Sequence, residues 1–114
     1  MALDIREKET DGVTVLVLSG RVVLGEESSQ LRTKLKDLLG QGKTRLVLDL
    51  AEVKYIDSAG LGTLVAGYTS AQSQGAGIKL ANLTKKFDEQ LHITKLVTVF
   101  DVYGSVADAV KSFG

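Results

Sequence analysis

Residues 45–74 read RLVLDLAEVKYIDSAGLGTLVAGYTSAQSQ and contain two different hydrophobic patterns. The first part, Arg45–Leu50, is an almost continuous apolar run, which is typical of a strand in the middle of a parallel sheet with both faces covered. After a connector predicted at Ala51–Ile56, apolar residues recur at steps of three and four from Ser58 to Gln74. This spacing predicts a helix that ends before Gly75. The sequence thus predicts a strand, a tight connector and a helix in direct succession.

The rest of the chain repeats this alternation of strands and helices. Val13–Leu18 is rich in β-branched residues and follows the turn pair Asp11-Gly12, which predicts a hairpin with Leu3–Glu9. Gly20 is expected to interrupt the second strand and to leave Arg21–Leu24 as a short extended piece. The remaining predicted elements are a helix over Glu26–Leu39, a strand over Ile78–Leu83, a helix over Thr84–His92 capped by Thr84, a strand over Val97–Phe100 and a helix over Ser105–Phe113 that opens close to a capping box at Ser105–Asp108. This order favours a single α/β domain, residues 1–114, whose mostly parallel sheet of four or five strands carries an antiparallel pair at its N-terminal edge and about four helices.

The composition argues against several classes of protein. Fourteen Lys and Arg residues balance fourteen Asp and Glu residues, so direct binding to nucleic acid is not expected. The chain has no cysteine and therefore neither disulfides nor thiolate metal sites. The N-terminal residues lack the apolar core of a signal peptide, and polar residues and glycines dilute the uncharged stretch Ser58–Ile78, so neither secretion nor membrane insertion is expected. We therefore expect a folded cytoplasmic domain.

Patterns for catalysis and metal binding are weak in this chain. A serine hydrolase would need His92, the only histidine, beside Ser58 as the nucleophile. Ile56 stands two residues before Ser58, where the sharp turn of a nucleophile elbow needs glycine. The segment Asp57–Gly62 also lacks the third glycine of a dinucleotide-binding loop and the Gly-Lys-Ser or Gly-Lys-Thr of a P-loop. The sequence therefore predicts no catalytic residue, no metal ligand and no cofactor, and it predicts that His92 lies at the surface near a helix end.

The segment Asp57–Gly62 lies where the predicted central strand ends and the helix begins. Open α/β domains present their functional loops at this edge of the sheet. Asp57 or Ser58 can cap the helix, because either side chain can accept hydrogen bonds from the free N–H groups of the first turn. Gly60 and Gly62 each cost a helix about 1 kcal/mol relative to alanine. We therefore expect them to permit a close approach of another backbone or to form a flat docking surface.

Ser58 can also serve as a phosphorylation site. A phosphate adds a charge of about −1.5 to −2 beside the helix N-terminus, where the unpaired N–H groups and the helix dipole favour it and the neighbouring Asp57 opposes it. The fold would survive this change, whereas a partner docked there would have to desolvate a dianion. One residue could therefore switch the binding of a partner.

Leu48-Asp49-Leu50 and Tyr55-Ile56-Asp57-Ser58-Ala59-Gly60-Leu61-Gly62 resemble the signature of the STAS domain, which bacterial anti-sigma factor antagonists share with the cytoplasmic tails of sulfate transporters. The order of elements is similar over essentially the whole chain, including Leu18–Arg21 and Gly75–Leu83, and the length resembles that of the antagonist branch. The resemblance implies a protein that binds an anti-sigma factor, itself a serine kinase, and so releases a sigma factor. Phosphorylation of Ser58 by that kinase would end the binding, and a serine phosphatase would restore it. The partner-binding residues implied are Arg21, Asp57, Ser58, Ala59, Gly60, Gly62 and Thr63.

Two positions depart from the family pattern, and two further functions are compatible with the chain. Ala59 stands where many members have a second serine, and Arg21-Val22-Val23 stands where antagonists often have Glu-Leu-Asp. Similar small STAS proteins are adaptor subunits of phospholipid-transport ATPase complexes or of stress-signalling assemblies, which is the alternative function. Binding of a small molecule at the strand-to-helix edge is the third hypothesis, and it depends on fold analogy alone.

Overall fold

A five-stranded sheet forms the centre of the computed structural model, which describes residues 3–114. Its strands lie side by side in chain order: β1 (Leu3–Thr10), β2 (Val13–Val22), β3 (Arg45–Ile56), β4 (Gly77–Ala81) and β5 (Asp101–Tyr103). The pair β1–β2 is antiparallel, and the other neighbours are parallel. The helices are α1 (Glu26–Gly40), α2 (Ser58–Ser73), α3 (Lys85–Ile93) and α4 (Val106–Lys111). The predicted α/β class, with a mostly parallel sheet and an antiparallel N-terminal pair, is confirmed.

Helices cover both faces of the central strand β3. Leu46 and Leu48 lie in the large core cluster with buried residues of α1, α2 and α3, whereas Val47 packs with Ala109 and Val110 of α4. Successive side chains of a strand point to opposite faces, so a strand buried on both sides needs apolar residues without interruption. The run Arg45–Leu50 was predicted to be the middle of the sheet for this reason, and β3 indeed lies between β2 and β4.

Two predicted breaks in strands are wrong. Gly20 does not end its strand: β2 continues to Val22, and Gly20 lies at an irregularity in the pairing with β3 where its φ is 109°. A bulge of this kind needs the left-handed region that glycine enters freely. Ala51–Ile56 is not a connector, because β3 runs through it and pairs Arg21 with Tyr55 and Val22 with Ile56. The two extended strands therefore support each other as far as the edge where α2 begins.

The strand predicted at Val97–Phe100 is also wrong. A short 3₁₀ turn occupies Leu96–Thr98, and β5 begins only at Asp101. Lys95 enters this turn with a φ of 63°, in the left-handed region. Phe100 is buried in the core, and its ring meets the ring of Tyr68 edge-on with centroids 5.4 Å apart. Leu96, Val99 and Phe100 thus pack against the core, and the segment forms no strand pairs before Asp101.

The caps predicted for α3 and α4 are confirmed, and each helix begins one residue after its cap. The Thr84 hydroxyl accepts a hydrogen bond from Phe87 N–H at 3.2 Å, so α3 begins one residue later than predicted. The Ser105 hydroxyl accepts one from Asp108 N–H at 3.1 Å and begins α4 in the same way. These are the N-cap contacts that serine and threonine favour.

Candidate functional site

Asp57 links the end of β3 to the start of α2. Its backbone is extended, and its carboxylate oxygen Oδ1 accepts a hydrogen bond from Gly60 N–H at 2.9 Å. This is the N-cap predicted from the sequence, and it fixes which residue of the Asp57-Ser58 pair makes the cap. Ser58 is consequently the first residue of α2, and it is exposed.

The second oxygen of the Asp57 carboxylate holds the loop that follows β2. Oδ2 accepts a hydrogen bond from Leu24 N–H at 2.9 Å, thirty-three residues away in sequence. The N–H groups of Leu24 and Gly60 lower the pKa of Asp57 below its usual value, because hydrogen bonds to a carboxylate favour its charged form. One anionic side chain therefore joins the β2–α1 loop to the N-terminus of α2.

Gly60 permits the close approach of β2 and α2. A Cβ atom at this position would overlap the carbonyl oxygen of Val22 and would lie 2.8 Å from Cγ1 of Ile56. The same Val22 carbonyl accepts a hydrogen bond from Asp57 N–H at 3.3 Å. Gly60 is therefore required by backbone packing, which was one of the two roles predicted for these glycines.

Gly62, two residues further along α2, faces open space. It is exposed, and no heavy atom lies within 4 Å of the position its Cβ would take. Since nothing inside the described protein occupies that space, Gly62 leaves the first turns of α2 flat toward solvent. This is the geometry expected of a docking surface, the second of the two predicted roles.

The predicted partner-binding residues are neighbours, but they are not equally accessible. Ser58, Gly62 and Arg21 are exposed, and Asp57 and Ala59 are half-buried. Gly60 and Thr63 are buried, and the Thr63 hydroxyl donates a hydrogen bond to the Ala59 carbonyl at 3.1 Å. Direct contact with a partner is therefore open to Ser58, Gly62 and Arg21, whereas Gly60 and Thr63 position the turn beneath them.

Three exposed residues, Leu24, Tyr55 and Lys86, were not predicted to bind a partner. Leu24 is 76% exposed although it is a large apolar residue, and Tyr55 is 41% exposed. Arg21 and Lys86 lie on the Tyr55 ring, with Cζ and Nζ at 5.9 Å and 5.7 Å from its centroid. The signal for Leu24 was present in the sequence as an apolar residue directly before a glycine turn. Tyr55 was hidden because its segment was predicted to be a connector.

No catalytic constellation forms around these side chains in residues 3–114. His92 is exposed on α3, as predicted, and its Nε2 lies 3.5 Å from the Asp88 carboxylate. The described part of the chain holds no group of three His, Cys, Asp or Glu side chains that could bind a metal ion. None of the helices described between residues 3 and 114 is long and apolar enough to cross a membrane.

The fold and this strand-to-helix edge define a STAS domain. The family model described as "Mlab, STAS domain" matches residues 5–102, and the chain belongs to the STAS domain family. The chain is 31% identical over 100 residues to the anti-sigma-B factor antagonist of Bacillus subtilis, with 88% of each chain covered.

Solved structures agree on the fold. An anti-sigma factor antagonist from Mycobacterium paratuberculosis superposes with a TM-score of 0.83 at 23% identity, covering 96% of this chain and 92% of that one. The Bacillus cell fate determinant SpoIIAA in its phosphorylated form gives a TM-score of 0.75 at 16% identity, covering 97% of this chain and the whole of that one. The predicted STAS fold is confirmed.

Proposed function

We propose that this protein is an anti-sigma factor antagonist that binds an anti-sigma factor and thereby releases a sigma factor. The similarity to the Bacillus subtilis antagonist over most of both chains supports the class of function. The observation that carries the proposal is the position of Ser58, exposed on the first residue of α2 beside the flat surface at Gly62. Sigma factors act in the cytoplasm, so this proposal places the protein there.

In the unmodified state Ser58 and Gly62 present a small, uncharged surface at the start of α2. The Asp57 carboxylate already accepts hydrogen bonds from the N–H groups of Leu24 and Gly60, so both of its oxygens have partners within the protein. A partner can then approach Ser58 and Gly62 closely and cover Leu24 without leaving a polar group unpaired. The protein itself acts by binding, and the chemistry belongs to its partners.

Phosphorylation of Ser58 is the proposed off-switch. The partner, acting as a serine kinase, transfers the terminal phosphoryl group of ATP to Ser58 Oγ: the new bond joins Oγ to the γ-phosphorus, the bond from that phosphorus to the bridging oxygen breaks, and ADP and the hydroxyl proton leave. The phosphate adds about −1.5 to −2 charge next to the Asp57 carboxylate. Because Ser58 is exposed at a helix N-terminus, the fold tolerates the charge, but an interface that covers it would bury a dianion without a counterion. A serine phosphatase hydrolyses the phosphate and restores binding.

Baits that differ only at position 58 test this proposal. Wild type, Ser58→Ala and Ser58→Asp are used to capture proteins from a lysate of the source cells, and the proteins are identified by mass spectrometry. We expect wild type and Ser58→Ala to retain an ATP-dependent serine kinase and Ser58→Asp to release it. Incubation with that kinase and ATP should add one phosphate to wild type and none to Ser58→Ala.

Ala107→Asp is the matched control for the added charge. Ala107 is exposed in the first turn of α4, which covers the opposite face of the sheet, so the variant places the same charge near another helix N-terminus. It should capture the kinase as wild type does. Equal capture of the kinase by all four baits would refute the switch at Ser58.

The second candidate function is that of an adaptor subunit in a transport ATPase complex or a stress-signalling assembly. The description of the matching family model, which names Mlab rather than an antagonist, favours it, as does Arg21 at a position where antagonists often have an acid. An adaptor should bind its partner whatever the charge at position 58. Capture of transporter or scaffold subunits by wild type, Ser58→Ala and Ser58→Asp alike would support this function instead.

A further inference from the structure

Tyr55 is an exposed aromatic ring with two cationic side chains near it. Arg21, its register partner on β2, and Lys86, on the first turn of α3, approach the ring from separate elements to 5.9 Å and 5.7 Å. A cation near an aromatic ring is attracted by the negative potential of the ring face, which holds long flexible side chains in place. We call Arg21, Tyr55 and Lys86 together the cationic tyrosine surface.

The charge of this surface is not balanced by the protein itself. In the described residues the ion pairs join other side chains, and none includes Arg21 or Lys86. The whole chain has a formal net charge of zero. The positive charge is therefore a local feature of this surface and does not reflect an excess of basic residues in the whole protein.

The positive patch lies next to the proposed switch. Val22 pairs with Ile56 directly after Arg21 pairs with Tyr55, and Asp57 then bonds to Leu24, so the patch and Ser58 are joined by a few rigid backbone contacts. Leu24 contributes an apolar side chain that is 76% exposed. An aromatic residue, an arginine and an aliphatic side chain on one edge match the composition of interface centres.

We infer that an acidic segment of the anti-sigma factor docks on the cationic tyrosine surface while the adjacent surface at Ser58 is being covered. Carboxylates of the partner would pair with Arg21 and Lys86, and an apolar depression beside them would receive Leu24. Complementary charges of this kind accelerate association and select the partner more than they raise the final affinity. This inference depends on the proposed function for the identity of the partner.

The test measures association rate constants with the purified serine kinase captured by the Ser58→Ala bait. The double variant Arg21→Glu with Lys86→Glu reverses the patch. The control, Lys8→Glu with Lys111→Glu, makes the same change in net charge at exposed positions on β1 and at the end of α4. Circular dichroism melting curves of both variants check that each remains folded.

We expect the patch reversal to slow association by at least about tenfold at low ionic strength, whereas the control should change it by less than about threefold. Added salt should slow the wild type and should leave the reversed variant unchanged or faster. If the kinase is captured and released at position 58 as proposed, but the reversed variant associates like the control, the inference is wrong and the proposed function stands. If no such kinase is captured, the proposed function fails and this inference fails with it.

Discussion

Gly60 and Gly62 make a matched pair for a test of the site geometry. They lie two residues apart in the same helix, and alanine at either position would improve helix propensity by about 1 kcal/mol. Their surroundings differ completely. A Cβ at Gly60 would overlap the Val22 carbonyl oxygen, whereas a Cβ at Gly62 would meet open space. The substitution Gly60→Ala should therefore destabilise the protein, and Gly62→Ala should stabilise it.

The loss of stability expected for Gly60→Ala depends on which atoms must move to make room for the methyl group. The obstacle to Gly60→Ala is a backbone carbonyl in a paired strand, and overpacking of this kind costs up to about 3 kcal/mol. Displacement of the Val22 carbonyl also weakens its hydrogen bond with Asp57 N–H, which contributes about 1 kcal/mol. After the gain in helix propensity of about 1 kcal/mol, the free energy of unfolding should fall by about 3 kcal/mol. For Gly62→Ala it should rise by about 0.5 to 1 kcal/mol.

Urea unfolding followed by far-ultraviolet circular dichroism measures both values. The chain has no tryptophan, so circular dichroism of its helices is a better probe than fluorescence. At about 4 °C per kcal/mol for a domain of this size, Gly60→Ala should lower the Tm by about 12 °C. Free energies of unfolding for the two variants that agree within about 0.5 kcal/mol would refute the close approach of β2 and α2.

Four further predictions concern residues around this edge and on α3. Asp57→Ala should cost about 1 to 2 kcal/mol of stability, because it removes the cap of α2 and the acceptor for Leu24. Since folding lowers the Asp57 pKa, its charge stabilises the protein above the unfolded carboxyl pKa of about 3.9, and the stability gap to Asp57→Asn in urea titrations should close as the pH falls below that value. Leu24→Ser should change the free energy of unfolding by less than about 0.5 kcal/mol, because the side chain is exposed. It should raise the Kd for the captured kinase, measured by isothermal titration calorimetry, by about tenfold. His92→Ala should shift stability by less than about 0.5 kcal/mol, because its pair with Asp88 is exposed; a larger loss in the same titrations would contradict this.

Local patterns were sufficient for the elements whose signals do not depend on distant residues. The central position of β3, the span of α2 and the caps of α3 and α4 all follow from residues close together in the chain. Capping is also a local property, so the sequence limits the N-cap of α2 to Asp57 or Ser58. In the structure Asp57 is the cap, and its second carboxylate oxygen also accepts a hydrogen bond from Leu24 N–H in the β2–α1 loop.

The errors occurred where a distant partner decides the local conformation. Ala51–Ile56 carries polar residues that indicate a connector, yet the paired end of β2 keeps it extended. Val97–Phe100 has the composition of a strand, but a turn begins at Lys95 and Phe100 is buried in the core. Pairing and burial are properties of the folded chain, and a short window of sequence does not contain them.

The sequence by itself determined the class of the domain and the strand-to-helix edge at Asp57 and Ser58, because strand and helix periodicity and capping are local properties. Only the tertiary structure decided that Gly60 is buried against Val22 while Gly62 is open, although both are glycines in the same turns of α2. It likewise brought Arg21, Tyr55 and Lys86 together from three elements. The physical reason is that contact and exposure depend on which strands pair and which helices cover them, and these relations arise only when residues far apart in the chain meet.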